Sequence, residues 1–496
     1  MYKVRTTKTG SGRTAVQIVR RHKRRTEVIK HLGTAANEQE VKILKDEGYR
    51  YIHAQERTLP LYSSKELPQL VAIDKLTISH AYHTFALEFL EHFYCLNGFD
   101  QLEHPLLRHL SVLRIVEPVS KIKSIELLEQ HFGISYTRNR LYKTLPAIAK
   151  LQDQAEKQAV TYAKKYLDFD FSLVFYDMTT MYFESFKEDE FRRCGFSKDN
   201  KPNQPQILVA LVVNQDGYPI SCQLFKGNTF EGHTIIPVIL ELKKKYDIKT
   251  ITVVADAAML SLGNINQLAE HKLHYVVAAR MGNLSRNILE GIADELNGQE
   301  NRYIQRETNY GTLLCDYSKK RASKDKSDRN KQLQRARGYL AQPNQKKKRL
   351  KFIKETKQAT YELNQKLIEK SEKLDGIKGY YTNLDTSSIK PELIISRYKQ
   401  LWQIEKSFRI AKSDLLARPI YHRKEESIRA HMVIVFVSLC VAKSIELLSG
   451  YSIQQIKHYI WKILDVELQA EDTGQTFSKR MQASGNPLFE WFNKIR

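Results

Sequence analysis

The stretch FSLVFYDMTTMYFES, residues 171–185, decides the fold class of this chain. It is a nearly continuous run of apolar and β-branched residues that encloses one acid, Asp177, before Glu184 near its end. Such a run is typical of a buried strand. A charge inside it is costly unless a cation or a hydrogen-bonding group compensates it. We therefore expect Asp177 to have a specific partner.

The segments that follow predict further strands and helices. QILVALVVN and YPISCQLFKGN form a hairpin-like pair around Gly217, and HTIIPVILELKKKY has the apolar spacing of a helix. TITVVADAAML is another buried strand and ends in the acid Asp256, LGNINQLAEHK is a helix, and HYVVAAR is a last strand. Three strands followed by helix, strand, helix and strand predict an α/β protein with a mixed sheet of the ribonuclease-H type.

This regular order ends at Gly282, which divides the predicted core into two parts. The first part covers residues 169–284. The second part covers residues 375–450 and begins with DGIKGYYTNLD, which we interpret as a strand that returns to the sheet. We interpret the intervening residues 285–374 as an insertion after the last core strand.

The insertion, residues 285–374, is rich in lysine and arginine. It contains the strand-like segment RYIQRETNYGTLLCDY and a very basic helical stretch from Lys319 to Lys357. The runs 319–321 and 346–349 consist of cations and suit a channel for a DNA backbone. A flexible basic loop is an equally weighted alternative.

Three segments flank this core. Residues 1–65 are basic and polar and are interpreted as a small module of short strands, whose exposed cations between Arg20 and Arg25 suit phosphate contact or a solvated face. Residues 75–168 repeat apolar side chains every three or four positions, which predicts a helical domain. Such a domain could read DNA, although bundles that only pack are commoner. Residues 451–496 form a mixed C-terminal tail.

The overall charge indicates a polyanionic partner. The 496 residues carry a formal net charge of +23, and the sequence pI is about 9.5. The hydrophobic share of 42% suits a globular protein with one large core or several smaller ones. Aromatic and hydrogen-bonding residues are interleaved with the cations, which favours nucleic acid over a membrane.

Cysteine usage and hydropathy indicate an intracellular, soluble protein. The five cysteines are scattered without a CxxC pair, which predicts neither disulfides nor a zinc site. The first residues are basic without the apolar segment of a secretory signal. The longest apolar run, Met432 to Ala442, is too short to span a bilayer and predicts a buried helix.

A second informative stretch is YKQLWQIEKSFRIAK, residues 398–412. It lacks Pro and Gly and is rich in helix formers, which predicts a single helix. At about 100° per residue, one stripe is apolar and suits a core: Leu401, Ile404, Phe408, Ala411 and Leu415. The other stripe frames one carboxylate with two aromatic and two basic side chains: Tyr398, Trp402, Glu405, Arg409 and Lys412. A solvated face with Glu405 paired to Arg409 is the plainer interpretation.

The second stripe resembles the Tyr-x2-Arg-x3-Glu-x6-Lys motif of bacterial insertion-sequence DDE transposases of the cut-and-paste type. Tyr398, Glu405 and Lys412 match this motif at the correct spacings. Leu401 stands where many members carry Arg, a departure that recurs in a long-chain branch of the family. The resemblance extends over roughly residues 165–445, the presumed catalytic core.

The resemblance implies a set of catalytic acids. Asp177, Asp256 and Glu405 would be the DDE triad and would bind two Mg²⁺ or Mn²⁺ ions, for which carboxylate oxygens are suitable ligands. These ions would promote in-line attack on a phosphorus. Thr180 and His431 are weaker candidates for groups that support the metal ligands.

The resemblance also implies DNA contacts on the same helix. Tyr398 and Lys412 would contact phosphates of the transposon end near the scissile bond. Trp402 lies on the same stripe and is close enough to touch DNA, although a Trp there is as often part of a core. Arg409 is added from helical geometry alone and is not part of the family motif.

Two of the three acids also have purely structural explanations. Asp177 could cap its own turn through Thr179 or Thr180. Asp256 could cap the helix that begins at Ala257. Taken singly, capping is the commoner role for Asp256, and it is the combination with a third acid that favours catalysis.

The sequence thus predicts a DNA transposase that cleaves at terminal inverted repeats and joins the ends to target DNA by two-metal-ion phosphoryl transfer. Its partner is double-stranded DNA, on which we expect a homodimer, and its location is the bacterial cytoplasm with the nucleoid rather than a membrane. One alternative is another ribonuclease-H-like nuclease, such as a junction resolvase. A second alternative is a non-catalytic DNA-binding descendant of a transposase.

Overall fold

The structure of the chain, a computed structural model, separates into two compact units. Its described residues are 2–10, 12–22, 25–56, 76–259, 261–341, 350–356, 360–471 and 476–496. The first unit comprises Met1–Ile78 and Leu468–Phe477, and the second comprises Ser79–Glu467 and Ser478–Arg496.

The first unit contains an antiparallel three-stranded sheet covered by one long helix. Its elements are β1 (Tyr2–Lys8), β2 (Thr14–His22), β3 (Arg25–Ala35) and α1 (Glu38–Glu56). Val16 and Ile18 on the central strand are fully buried, and α1 packs against all three strands. The predicted strands are confirmed, whereas α1 was not predicted. Arg20 pairs with Glu27 at 3.3 Å, and residues 23–24 of the basic run lie outside the described residues.

The second unit begins with helices, as the apolar spacing predicts. After β4 (Leu76–Tyr82) come α2 (Thr84–Leu96), α3 (Pro105–Val116), α4 (Lys121–Phe132), α5 (Arg138–Ala149) and α6 (Gln152–Tyr166). Phe85, Phe89 and Phe93 recur along one face of α2 and are fully buried. This face is part of the large core that continues into the sheet described next.

The central sheet follows in the predicted order. Its first elements are β5 (Leu173–Tyr182), β6 (Gln206–Val213), β7 (Pro219–Lys226), α7 (Ile235–Lys245), β8 (Thr252–Ala255), α8 (Leu262–Glu270) and β9 (His274–Ala278). The next elements are α9 (Arg286–Leu296), β10 (Tyr303–Thr308), β11 (Gly311–Tyr317), α10 (Lys319–Ala341), β12 (Ile353–Glu355), β13 (Tyr361–Leu363), α11 (Gln365–Lys373) and β14 (Ile377–Thr382).

Strand pairing makes this a mixed sheet. Within the described residues it has eight strands in the order β10-β11-β14-β9-β8-β5-β6-β7. The β5–β8 and β8–β9 pairs are parallel and the other pairs are antiparallel. Every residue of β6 and of β8 is buried, because helices cover the middle of the sheet. The prediction of a mixed α/β sheet is confirmed.

The segment 285–374 contributes to this sheet instead of only interrupting it. Strands β10 and β11 join β14 at one edge of the sheet, which was not predicted from the sequence. The helix in this segment is shorter than the predicted range Lys319–Lys357. It is α10, which ends at Ala341, and Lys354 lies in strand β12. The run 346–349 lies outside the described residues.

The single helix predicted for residues 398–412 is wrong. The structure contains α12 (Pro391–Lys399), α13 (Trp402–Arg409) and a π-helical turn, Ile410–Asp414. Gln400 and Leu401 form tight backbone hydrogen bonds to residues three positions earlier, which separate the two helices. The helices pack on different strands, α12 on β8 and β9 and α13 on β5 and β6. Tertiary packing therefore overrides the local helix preference.

The predicted apolar stripe is nevertheless buried in full: Leu401, Ile404, Phe408, Ala411 and Leu415. The remaining elements are α14 (Glu425–Ser449), α15 (Ile453–Lys462), β15 (Leu464–Ala470), β16 (Thr476–Met481) and α16 (Pro487–Ile495). By length and composition alone α14 could cross a membrane, but 78% of its most apolar stretch is buried inside the protein. The buried helix predicted around residues 432–442 is confirmed and is longer than the apolar run.

Candidate active site

Two of the predicted acids are neighbours because of the strand register. Tyr176 of β5 lies opposite Ala255 of β8 in a parallel pair, and the next residues along the chain are Asp177 and Asp256. Adjacent strands are about 4.8 Å apart, and residues in parallel register project to the same face. The sheet therefore brings these two carboxylates side by side where β8 ends, although they are 79 positions apart in the sequence (256 − 177).

Asp177 is a largely buried carboxylate that needs compensation. Its side chain is 20% exposed, and Lys198 lies 3.9 Å from Oδ1. The pKa of Asp177 is raised to about 6, mainly by burial and also by the charges of Asp256 and Glu231, although Lys198 and the backbone N–H of Met178 act to lower it. Oδ1 accepts a 2.7 Å hydrogen bond from the backbone N–H of Met178. The described hydrogen bonds therefore include no cap through Thr179 or Thr180.

Lys198 and Glu231 also belong to this site, and neither was predicted from the sequence. The Lys198 ammonium lies 3.2 Å from Glu231 Oε1 and donates a 2.5 Å hydrogen bond to the carbonyl of Met178. Its backbone N–H donates to Thr180 Oγ1 at 3.1 Å. Thr180 thus supports the site through Lys198. Both missed residues lie outside regular strands and α-helices, so hydrophobic spacing gave no signal for them.

Asp256 is exposed, and its side chain contacts the start of the turn that follows it. Its Oδ1 accepts a 2.6 Å hydrogen bond from the backbone N–H of Ala257, and a 3₁₀ turn covers Ala257–Met259. The helix predicted to begin at Ala257 is thus a single 3₁₀ turn, and Asp256 accepts from its first N–H instead of the second or third, as a helix N-cap would. This hydrogen bond to Oδ1 is compatible with ligation of a metal ion through Oδ2.

Glu405 lies on the exposed face of α13, together with Trp402 and Arg409. Tyr398 provides the link to the other two acids. Burial raises the pKa of its hydroxyl, and the charges of Asp256, Glu405 and Asp177, in decreasing order, raise it further. All three acids therefore act on one hydroxyl group.

The three acids share one region but do not form a closed cluster. Within the described residues, no three His, Cys, Asp or Glu side chains stand close enough together to hold a metal ion. Lys378 also lies in this region, where burial and Arg321 lower the pKa of its ammonium and Asp316, Asp256 and Glu405 raise it. The site thus combines separate carboxylates with nearby cations.

Tyr398 is buried rather than presented on an open stripe. It is 5% exposed, and its ring lies 4.8 Å from that of Tyr380. The ammonium of Lys378 lies 4.4 Å from the centre of the Tyr398 ring.

The ammonium of Lys412 forms an ion pair within the protein. Its ammonium lies 3.1 Å from Asp199 Oδ2, and both side chains are about nine-tenths buried. Arg418 contacts the other oxygen of the same carboxylate at 3.1 Å. By contrast, Trp402 is 52% exposed, and Arg409 is exposed on the same helix. The five residues of the predicted stripe therefore do not present one common surface.

A cavity of about 630 Å³ adjoins Asp256. Cations from several elements line it, together with carboxylates that belong mainly to α10: Arg321, Arg329, Lys351, Lys378, Asp325, Asp328 and Asp375. The segment 285–374 therefore contributes charged groups next to one of the predicted catalytic acids.

The family described as "Transposase DDE domain" matches residues 168–441, a segment that contains all three acids. No curated protein is significantly similar to the sequence. A piggyBac transposase, solved by cryo-EM in a synaptic complex with hairpin DNA, is similar with 12% identity and a TM-score of 0.36, over 75% of this chain and 70% of that one. Because the family match spans 274 of the 496 residues (441 − 168 + 1), the chain belongs to the transposase DDE domain family.

Proposed function

We propose that this protein is a DNA transposase that cleaves at terminal inverted repeats and joins the ends to target DNA. The observation that carries the proposal is the parallel register that places Asp177 next to Asp256 inside the segment that matches the family. Glu405 supplies a third acid, and its charge acts on the same Tyr398 hydroxyl as the other two. We assign the catalytic role to these three acids.

The chemistry of the donors fits a divalent cation such as Mg²⁺ or Mn²⁺. Carboxylate oxygens are the ligands these ions prefer, and burial leaves Asp177 in need of positive charge beyond that of Lys198. Asp177, Asp256 and Glu405 would hold two such ions. When bound, the ions would activate the attacking oxygen and stabilise the departing one.

The side chains around the acids have separate roles in this proposal. Lys198 and Glu231 hold Asp177 in place through their ion pairs. The ammonium of Lys378 and the hydroxyl of Tyr398 can donate hydrogen bonds to a phosphate next to the acids. Because Lys378 is partly buried, its charge is weakly screened there.

DNA is the proposed partner, and the exposed side chains of α13 are the proposed contact. Trp402 can stack on a base or sugar and Arg409 can pair with a phosphate. We propose that two copies act together, since two ends must be joined, and that the protein works in the bacterial cytoplasm with the nucleoid. Tyr398 and Lys412 are assigned to positions beside the scissile phosphate, where Lys412 would first have to leave Asp199.

The test is cleavage of a labelled duplex that carries the inverted repeats flanking the encoding gene, with Mg²⁺. We expect Asp177→Asn, Asp256→Asn and Glu405→Gln each to reduce cleavage by at least about 10²-fold, since each removes a charged metal ligand. Glu392→Gln is a matched control, because Glu392 is an exposed acid on α12. Equal cleavage by the parent and Glu405→Gln would refute the assignment of Glu405.

The same experiment separates the two alternatives. Binding of the duplex without cleavage by the parent protein would identify a non-catalytic DNA-binding protein. Cleavage of four-way junctions in preference to the inverted repeats would identify a junction resolvase.

A further inference from the structure

A second cavity, of about 520 Å³, lies within the second unit, and none of the three acids lines it. Its walls come from the end of α3, the first turn of α4, the middle of α5, the start of α14 and the chain segment 416–422. The lining includes six basic side chains: Arg114, Lys121, Lys123, Arg418, His422 and His431. None of the described residues that line it is acidic.

The innermost of these basic groups are buried without a carboxylate partner. Arg114, Lys121 and His431 are each only 4–5% exposed. Arg114 donates hydrogen bonds to the carbonyl oxygens of Leu415 and Leu416 at 2.7 and 3.2 Å. These bonds satisfy part of the guanidinium but leave its charge in place.

Lys121 is connected only to other basic groups among its described partners. Its ammonium lies 3.2 Å from His431 Nδ1, and His431 Nε2 lies 2.9 Å from the carbonyl oxygen of Ala417. Because a carbonyl can only accept, Nε2 carries the proton, and Nδ1 accepts a hydrogen bond from Lys121. The His422 ring lies 5.8 Å from that of His431.

Charge at the inner end of the cavity is therefore uncompensated, whereas two of the other cations are paired, Lys123 with Glu126 and Arg418 with Asp199, each at 3.1 Å. Burial lowers the pKa of Arg114 to about 10, and burial and Arg114 lower that of Lys121 well below its usual value. Burial and the charges of Lys121 and Arg114 lower the pKa of His422 to about 4 and that of His431 as well. No carboxylate is among the described groups that act on these four. Buried lysine and arginine side chains are rare unless they are paired.

The cavity also receives the start of a helix. The first turn of α4, Ser120–Lys123, lines it, and α4 has 12 residues. A helix start carries partial positive charge and backbone N–H groups that have no partner within the helix. Ser120 caps one of them, that of Lys123, at 3.3 Å. Helix starts with adjacent cations are common phosphate sites.

We propose that this cavity binds a phosphate group through Arg114, Lys121 and the start of α4. The volume is large enough for a nucleotide-sized ligand, so the phosphate can belong to a DNA backbone or to a free nucleotide or phosphate ion. The DNA source rests on the proposed function, whereas the phosphate chemistry does not.

A purely structural role for Lys121 predicts a different effect of its removal on stability. Another buried lysine, Lys443, provides the comparison. Lys443 is also buried, at 1% exposure, but it pairs with Glu446 at 2.8 Å. Removal of Lys443 leaves Glu446 with one cation, Lys406 at 2.9 Å, in place of two, and is expected to destabilise the protein. Removing an unpaired buried charge, such as that of Lys121, relieves a cost unless a ligand supplies the missing anion.

The test measures binding of inorganic phosphate to the full-length protein by calorimetry and by the melting temperature. The buffer is zwitterionic, and sodium chloride holds the ionic strength constant. We expect the parent protein to bind phosphate with a rise in melting temperature. Lys121→Met should lower phosphate affinity at least tenfold without lowering the melting temperature of the phosphate-free protein. Lys443→Met should melt earlier and retain phosphate binding.

Two results would overturn the proposal. One is the absence of saturable phosphate binding by the parent protein, a measurement that needs no variant to fold. The other is phosphate binding by Lys121→Met and Arg114→Met with the affinity of the parent.

A second arm identifies the source of the phosphate. Binding of a DNA duplex is measured without divalent metal, with and without inorganic phosphate. If the source is DNA, phosphate competes with the duplex, and Lys121→Met weakens duplex binding and reduces its salt slope by about one. If the source is a free phosphate, duplex binding stays unchanged while phosphate still binds. Neither result depends on cleavage, so a failure of the proposed function would leave the phosphate site testable.

Discussion

Ser407 donates a 2.6 Å hydrogen bond to the carbonyl oxygen of Gly217. Ser407 is fully buried on α13, and Gly217 is in the turn between β6 and β7. This bond ties the helix that carries Glu405 to the sheet that carries Asp177. The position of the third acid therefore depends on a contact far from it in the sequence.

Gly217 is expected to tolerate no larger residue. Its φ is +78°, and a Cβ atom there would lie 2.9 Å from the carbonyl oxygen of Gln403. Gly217→Ala should lower the free energy of unfolding by about 1–3 kcal/mol, measured by denaturant unfolding. Gly291→Ala is the control, because nothing lies within 4 Å of a Cβ at that position in α9. It should be neutral or stabilise the protein by up to about 1 kcal/mol.

Ser407→Ala removes the donor of the hydrogen bond between Ser407 and Gly217. It leaves the buried carbonyl of Gly217 without this donor, so we expect a loss of about 1–3 kcal/mol in unfolding free energy. DNA cleavage should fall as well, since α13, which carries Glu405, loses a hydrogen bond that holds it against the sheet. Unchanged stability and unchanged cleavage would show that the bond does not position Glu405.

Asp177→Asn should stabilise the metal-free protein at neutral pH. Burial makes the charged carboxylate unfavourable, as its pKa of about 6 indicates, and the amide removes that charge at a gain of about 1–3 kcal/mol. In titrations with MgCl₂ the melting temperature of the parent should rise, whereas that of the variant should not.

Asp316→Asn provides the comparison for this result. Asp316 is also buried, but it pairs with Lys399 at 2.8 Å and accepts a hydrogen bond from Tyr380. Its replacement should therefore destabilise the protein. A loss of stability in Asp177→Asn as large as that in Asp316→Asn would contradict the expectation for Asp177.

We predict that protonation of His422 in the unfolded state lowers the stability of the protein in mild acid. Its pKa is about 4 in the folded protein and about 6.5 when unfolded, so the unfolded state binds more protons between these values. Stability should therefore fall as the pH falls from about 6.5 to about 4. The groups that act on it are Lys121 and Arg114, and His431 faces it.

His422→Gln should make this dependence shallower by up to about 1.4 kcal/mol per pH unit, the effect of one proton. The measurement is denaturant unfolding at several pH values in phosphate-free buffers. Added phosphate should raise the pKa of His422 in the parent and have the same flattening effect. An identical pH dependence in parent and variant would exclude His422 as the titrating group.

Replacement of Arg409 should mainly affect DNA binding, whereas replacement of Lys412 should mainly affect stability. Arg409 is exposed on α13, and Arg409→Ala should weaken duplex binding and lower the salt slope by about 0.9. Lys412→Ala removes one of two cations from the buried Asp199, so its main effect should be a loss of stability. Lys157→Ala, an exposed site on α6, is the control for both in filter-binding or anisotropy assays at several salt concentrations.

The central strands could be predicted because they are buried on both faces. A strand such as β6 shows a continuous apolar run, and that signal depends on local sequence alone. The positions of Asp177 within β5 and of Asp256 directly after β8 followed from these runs. Their adjacency, however, comes from hydrogen bonds between strands, which residue spacing does not encode.

The break between α12 and α13 could not be predicted from the sequence. Residues 398–412 contain good helix formers throughout, and the two halves separate because they rest on different strands. Lys198 and Glu231 were not predicted from the sequence for a related reason. They lie in connecting segments, and only the folded chain brings them to Asp177.

The parallel register of β5 and β8 restricts how this chain can change in evolution. Side chains alternate between the two faces of a strand, so deletion of one residue between Leu173 and Tyr176 would transfer the Asp177 carboxylate to the opposite face. Substitutions can accumulate in this strand as long as they remain apolar. Changes of length are tolerated only in connections, such as the long segment between β11 and β14, and a comparison of homologous genes should find their insertions and deletions there.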